Sequence, residues 1–76
     1  MKVLLSNMKK GQSGIVQEIN LNNSKEKIHI LELGLTKGIR VKVKKIAPTG
    51  DPISIEVRSY ELCISKENAS KIVILR

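Results

Sequence analysis

The sequence predicts a mainly β protein: a small barrel of about five strands with one short helix and one helical turn. Three observations carry this. The apolar residues are dominated by 11 Ile, 8 Leu and 6 Val, against 2 Ala. β-Branched side chains lose rotamer freedom in helices and fit the pleated surface of a sheet. Apolar and polar residues alternate over 39–44 and again over 53–58, the period of a strand with one buried face. Five Gly and two Pro cut the chain into short segments with turns between them. At 76 residues the chain is one small domain, residues 1–76, with no room for a two-domain cleft or a nucleotide fold.

Each element follows in order. Leu4 and Leu5 lead into a turn at Lys10-Gly11. Gly14 opens a strand in which Ile15, Ile19 and Leu21 share one face, with Val16 a fault on the other. Asn22-Asn23-Ser24 ends it. Asn23 and Glu26 have the spacing of a capping box, so a helix is expected over 24–33, with Ile28, Leu31 and Leu35 at helical spacing and Gly34 as its stop. Lys37-Gly38 is a turn. The strand from Ile39 alternates as far as Lys44, and Lys45-Ile46 breaks the pattern, which predicts a bulge. Ala47-Pro48-Thr49-Gly50-Asp51-Pro52 is a compact turn, since two prolines do not lie in a central strand. A strand from Ile53 follows, then a reversal at Ser59-Tyr60-Glu61 onto Leu62-Cys63-Ile64. Ser65 caps a helical turn over 66–70, and 71–75 is the last strand. Five short strands around one aliphatic core close most economically into an SH3-like barrel.

Charge and composition bound the function. Fourteen Lys and Arg against 7 Asp and Glu give a formal net charge of +7. Arg40, Lys42, Lys44 and Lys45 fall together with no acid among them. A basic stripe of Arg40, Lys42 and Lys44 suits an acidic partner, anionic lipid head groups or nucleic-acid phosphate. Tyr60 is the one aromatic residue, so the base-stacking platform of single-stranded nucleic-acid binders is missing. No apolar run approaches the length that spans a bilayer, and the apolar N-terminal stretch is short for a signal peptide. A single cysteine, Cys63, makes no internal disulfide, which fits a reducing cytoplasm.

The ordered set Leu31-Glu32-Leu33-Gly34-Leu35-Thr36-Lys37-Gly38, then Val41 and Val43, then Ala47-Pro48-Thr49-Gly50-Asp51-Pro52, resembles the FeoA family. That family is the small SH3-like cytosolic component of bacterial ferrous iron uptake, and the same domain type closes some metal-dependent repressors. The likeness runs through Leu62-Cys63-Ile64-Ser65 to Ile72 and Val73, essentially the whole chain. The chain departs from the family at four points: Lys37 in place of a frequent proline, Thr49 of a larger apolar residue, Ser59 of a glycine and Ser65 of an arginine. The resemblance implies a binding module and not an enzyme, without a cofactor. Its implied partner is a FeoB-type membrane transporter with a cytosolic GTPase domain, so the membrane is reached only through the partner. A homo-oligomer stays open.

Candidate site residues follow from the two motif segments. Leu33, Gly34, Leu35, Lys37 and Gly38 form one, and Pro48, Thr49, Gly50, Asp51 and Pro52 the other; rigid exposed loops present contacts at low entropic cost. Arg40 and Arg58 are the arginines that an arginine-finger role on a partner GTPase would use. Glu26, His29 and Glu32 recur every third residue on one helix face and are weak metal candidates, because known Glu-x-x-His sites draw on several helices. Cys63, between Leu62 and Ile64, reads as a packed strand residue. No phosphate-cradling glycine loop or nucleophile–base pair stands out. The alternative function is a small basic SH3-like nucleic-acid-binding domain.

Overall fold

The computed structural model describes residues 1–76. Its strands are β1 (Lys2–Leu4), β2 (Ser13–Ile19), β3 (Arg40–Ile46), β4 (Ile53–Val57), β5 (Tyr60–Ile64) and β6 (Ile72–Leu75). Helix α1 (Ser24–Glu32) connects β2 to β3, and the single-turn α2 (Lys66–Ala69) precedes β6. A 3-10 turn, Leu5–Asn7, follows β1.

All six strands form one antiparallel sheet in the order β1-β6-β2-β3-β4-β5. This corrects two expectations. There are six strands, because the three-residue β1 is too short to show alternation. The sheet is not closed, because β1 and β5 stand at its two edges unpaired with each other. The core is covered instead by the 3-10 turn, which packs against both α2 and β6. All 16 buried residues are apolar, so no charge or polar side chain is sequestered inside.

Bulges set which residues reach that core. Along β2, the pairing with β6 shifts register between Val16 and Glu18. The extra residue brings Val16 and Ile19, three apart, onto the same inner face. Val16 is therefore core and Ile15 faces solvent, the reverse of the strict alternation expected there. Along β3, the shift falls between Val43 and Lys45, so the expected bulge sits at Lys44.

Helix α1 begins where its cap predicts. The Asn23 side-chain oxygen accepts from the backbone N–H of Lys25 at 2.9 Å and of Glu26 at 3.2 Å. Replacing Asn23 by alanine is expected to lower unfolding free energy by about 1 kcal/mol, read from urea denaturation. An unchanged midpoint would show that water serves those two N–H groups equally well. The helix stops one residue before the expected end, in a complete Schellman motif. Gly34 has φ +97°, its N–H reaches Leu31 O at 3.0 Å, and the N–H of Leu35 reaches Ile30 O at 3.2 Å. Ile30 and Leu35 are the buried contacts. The expected inner face of Ile28, Leu31 and Leu35 is thus corrected: Ile28 is 55% exposed, because the short helix touches the core mainly at its C-terminal end.

The β4–β5 hairpin turns at Arg58-Ser59, with Val57 opposite Tyr60. Tyr60 and Glu61 belong to β5, not to the reversal as expected. The reason is local: Arg58 takes a left-handed conformation (φ 55°), which tightens the turn to two residues. At α2, the Ser65 hydroxyl accepts from Asn68 N–H at 3.1 Å, as expected of a cap.

Candidate partner-binding surface

The two motif segments lie at opposite ends of β3. The first, 33–38, leads into Arg40, and the second, 47–52, leaves from Ile46. Along a seven-residue strand that is a separation of about 20 Å. They do not form one continuous loop surface.

In the first segment Leu35 is fully buried and serves the core. The expectation that Leu35 touches a partner is corrected: the Schellman turn points it inward. Leu33 and Gly34 are half-buried, and Lys37 and Gly38 are exposed. A Cβ on Gly34 would lie 2.5 Å from the Tyr60 hydroxyl and 3.7 Å from Arg58 Nε, so Gly34 lets the β4–β5 hairpin close over the helix end. The exposed Lys37-Gly38 turn is anchored by its backbone: Gly38 N–H donates to Val16 O at 2.8 Å, and Val16 N–H to Ile39 O at 2.9 Å.

Four hydrogen bonds hold the second segment. Gly50 N–H donates to Ala47 O at 2.7 Å, Ala47 N–H to Pro52 O at 3.2 Å, and the Thr49 hydroxyl to Asp51 O at 3.1 Å. The Asp51 carboxylate accepts from the Lys66 N–H at 3.0 Å, where it caps the start of α2. Pro48, Thr49, Asp51 and Pro52 are exposed and Gly50 is half-buried. The loop is both a structural brace and a rigid exposed edge.

Between the two segments lies the outer face of β3 and β4. Arg40 and Lys42 are exposed there, and Lys44, at the bulge, is half-buried. Lys42 stands opposite Glu56 on β4. Ile39, Arg40, Val41, Lys42, Glu56 and Arg58 line an open depression of about 210 Å³. The Arg40 guanidinium donates to the Ser13 hydroxyl at 3.2 Å, which restrains it over the depression. The fold thus joins Arg58, from the hairpin turn, to two cations of the basic stripe. Glu56, Arg58 and Ser13 were not grouped with that stripe from sequence, because only strand register makes them neighbours. Alternation within each strand does reveal that Glu56 and Lys42 face outward.

The other candidates are dispersed. Glu26, His29 and Glu32 are all exposed on α1, and no three His, Cys, Asp or Glu side chains are arranged to hold a metal ion. Cys63 is exposed, which corrects its reading as a packed residue. Leu62 and Ile64 face inward opposite Ile55 and Ile53, so Cys63 must point outward beside Ser54. No helix is long and apolar enough to cross a membrane.

The FeoA domain family model matches residues 3–76. The chain belongs to the FeoA family. Among solved structures, it is 31% identical to an iron uptake regulatory protein (FeoA), with a TM-score of 0.84, covering 97% of this chain and 94% of that one. Stenotrophomonas maltophilia FeoA, complexed with zinc and described as a prokaryotic SH3 domain protein with a suggested role as a ferrous iron transport activating factor, is 23% identical, with a TM-score of 0.78 over 95% of this chain and 88% of that one. A manganese-dependent transcriptional repressor shares the fold at 18% identity, with a TM-score of 0.89 over 97% of this chain and 41% of that one. A search of curated proteins finds no match. Membership of the FeoA family indicates a role in ferrous iron transport, in a family of small accessory proteins.

Proposed function

We propose that this FeoA-family chain is a cytoplasmic accessory module of ferrous iron uptake, acting by contact with a FeoB-type membrane transporter at its GTPase side. The observation that carries the reading is the family match over residues 3–76, nearly the whole chain. The chemistry of the molecule agrees with a binding role. Every buried side chain is apolar, and the charged groups lie on the surface, where they are available to a partner. A hydrogen-bonded turn at Lys37-Gly38 leads into an open basic depression, an arrangement that meets a partner without ordering much chain.

The test is a titration of isotopically labelled protein with the transporter's cytosolic GTPase domain, in GDP and GTP states, and with the complete transporter in nanodiscs. Saturable amide shifts are the expected result. No binding in any of these forms would overturn the reading. A parallel titration with mixed RNA and DNA addresses the nucleic-acid alternative. That alternative requires affinity falling with salt at a log–log slope of about −0.9 per phosphate contacted. Glu56, inside the basic depression, opposes a phosphate track.

A further inference from the structure

Strand register builds an outer-face row that no single segment of sequence contains. Lys2 on β1 lies opposite Leu75 on β6, Leu75 opposite Ile15 on β2, and Ile15 opposite Arg40 on β3. Directly opposed residues share a face. The row reads cation, apolar, apolar, cation, and spans about 14 Å at the usual strand spacing. Ile15 is 38% and Leu75 43% exposed, while the alternate residues Val16 and Ile74 are core. The apolar pair is therefore held outward by register. Two residues along the strands, on the same face, Ser13 stands opposite Lys42 and Lys42 opposite Glu56, beside the depression lined by Arg40 and Arg58.

We infer that this face is a docking surface for an acidic protein segment carrying an apolar side chain between its carboxylates. Charge complementarity selects the occupant. Arg40, Lys42 and Arg58 offer charge-assisted hydrogen bonds to carboxylates, and Arg40 is already restrained by Ser13. An apolar side chain laid over Ile15 and Leu75 gains burial that a free anion does not. A flat anionic bilayer fits the face less well, since it would cover β4 and β5 too and meet Glu56 and Glu61, which stand opposite each other there, whereas a short segment on the row from Lys2 to Arg40 lies clear of that pair. A nucleic-acid strand would find no aromatic residue here to stack on. The inference goes beyond the transporter reading, because it concerns the chemistry of the segment and not the identity of the protein that carries it.

The test uses labelled protein and the blocked peptide Glu-Glu-Leu-Glu-Leu-Glu-Glu at physiological salt. Saturable amide shifts are expected at Ser13, Ile15, Arg40 and Lys42. The double variant Arg40→Glu/Lys42→Glu should weaken binding by about tenfold or more. Lys25→Glu/Lys27→Glu on α1 changes net charge equally and should leave affinity within about twofold, which separates this face from the overall charge. A peptide with serine in place of leucine should bind several-fold more weakly. The inference is overturned by the absence of saturable shifts, by shifts centred elsewhere, by equal losses in the two double variants, or by equal affinity for the serine peptide. Binding to phosphatidylglycerol vesicles without binding to the peptide would equally overturn it, in favour of a membrane surface. Failure here leaves the transporter titration free to succeed, and the converse holds.

Discussion

Leu35→Ala is expected to destabilise the domain by about 2–5 kcal/mol. Leu35 is 0% exposed, and it packs at the point where the Schellman turn returns the chain from α1 to the sheet. Truncation deletes buried methyl groups and leaves a cavity within the apolar core cluster to which Leu35 belongs, whose strand residues are held by ladder hydrogen bonds and relax only in part. A domain of this length has roughly 4–11 kcal/mol in total, so the loss is a large share of its stability. Urea unfolding with an unchanged m-value measures it. A loss below about 1 kcal/mol would mean that the α1–β3 connection collapses into the space, against the close packing expected of a core. The variant also bears on function. Leu35 lies within a segment expected to contact the partner, yet its side chain reaches no solvent. Any loss of partner binding in Leu35→Ala should vanish once affinity is referred to the folded fraction.

Gly14→Val is expected to cost about 3 kcal/mol or more, and Gly14→Ala somewhat less, as overpacking against parts that cannot move. Gly14 lies on β2 opposite Val41. A Cβ there would overlap Ile74 Cγ2, approach the Leu75 carbonyl oxygen to 2.8 Å and reach Arg76 Cγ at 3.0 Å. The Arg76 side chain is exposed and can swing away. The Leu75 carbonyl is backbone of β6, and moving it disturbs the strand that joins β1 to β2. Amide exchange in β6 should accelerate along with the drop in denaturation midpoint. If Gly14→Ala retains both within error, β6 does not seat against Gly14 as described.

Both effects turn on features whose legibility differed. The cap at Asn23, the stop at Gly34, the bulge in β3 and the compact 47–52 loop were readable, because each is a local requirement met by residues adjacent in sequence. Capping needs an oxygen near free N–H groups a turn away, and a left-handed stop needs glycine. The aliphatic composition and the alternation in β3 and β4 likewise announced a sheet. The whole-chain likeness to the FeoA family was readable for the same reason, as an ordered set of such local signals.

Long-range register was not readable. The bulge in β2 exchanges Ile15 for Val16 at the core, and nothing near those residues announces it, since the shift is defined against β6, more than fifty positions away. The same distance hides the row from Lys2 to Arg40 and the meeting of Arg58 with the basic stripe. Whether the sheet closes depends on how far β1 and β5 curl toward each other, a sum of strand twists with no single residue responsible. Local hydrogen-bonding and conformational rules thus set where this chain turns, caps and alternates. The composition of its surface, which decides what it can bind, came from packing one strand against another.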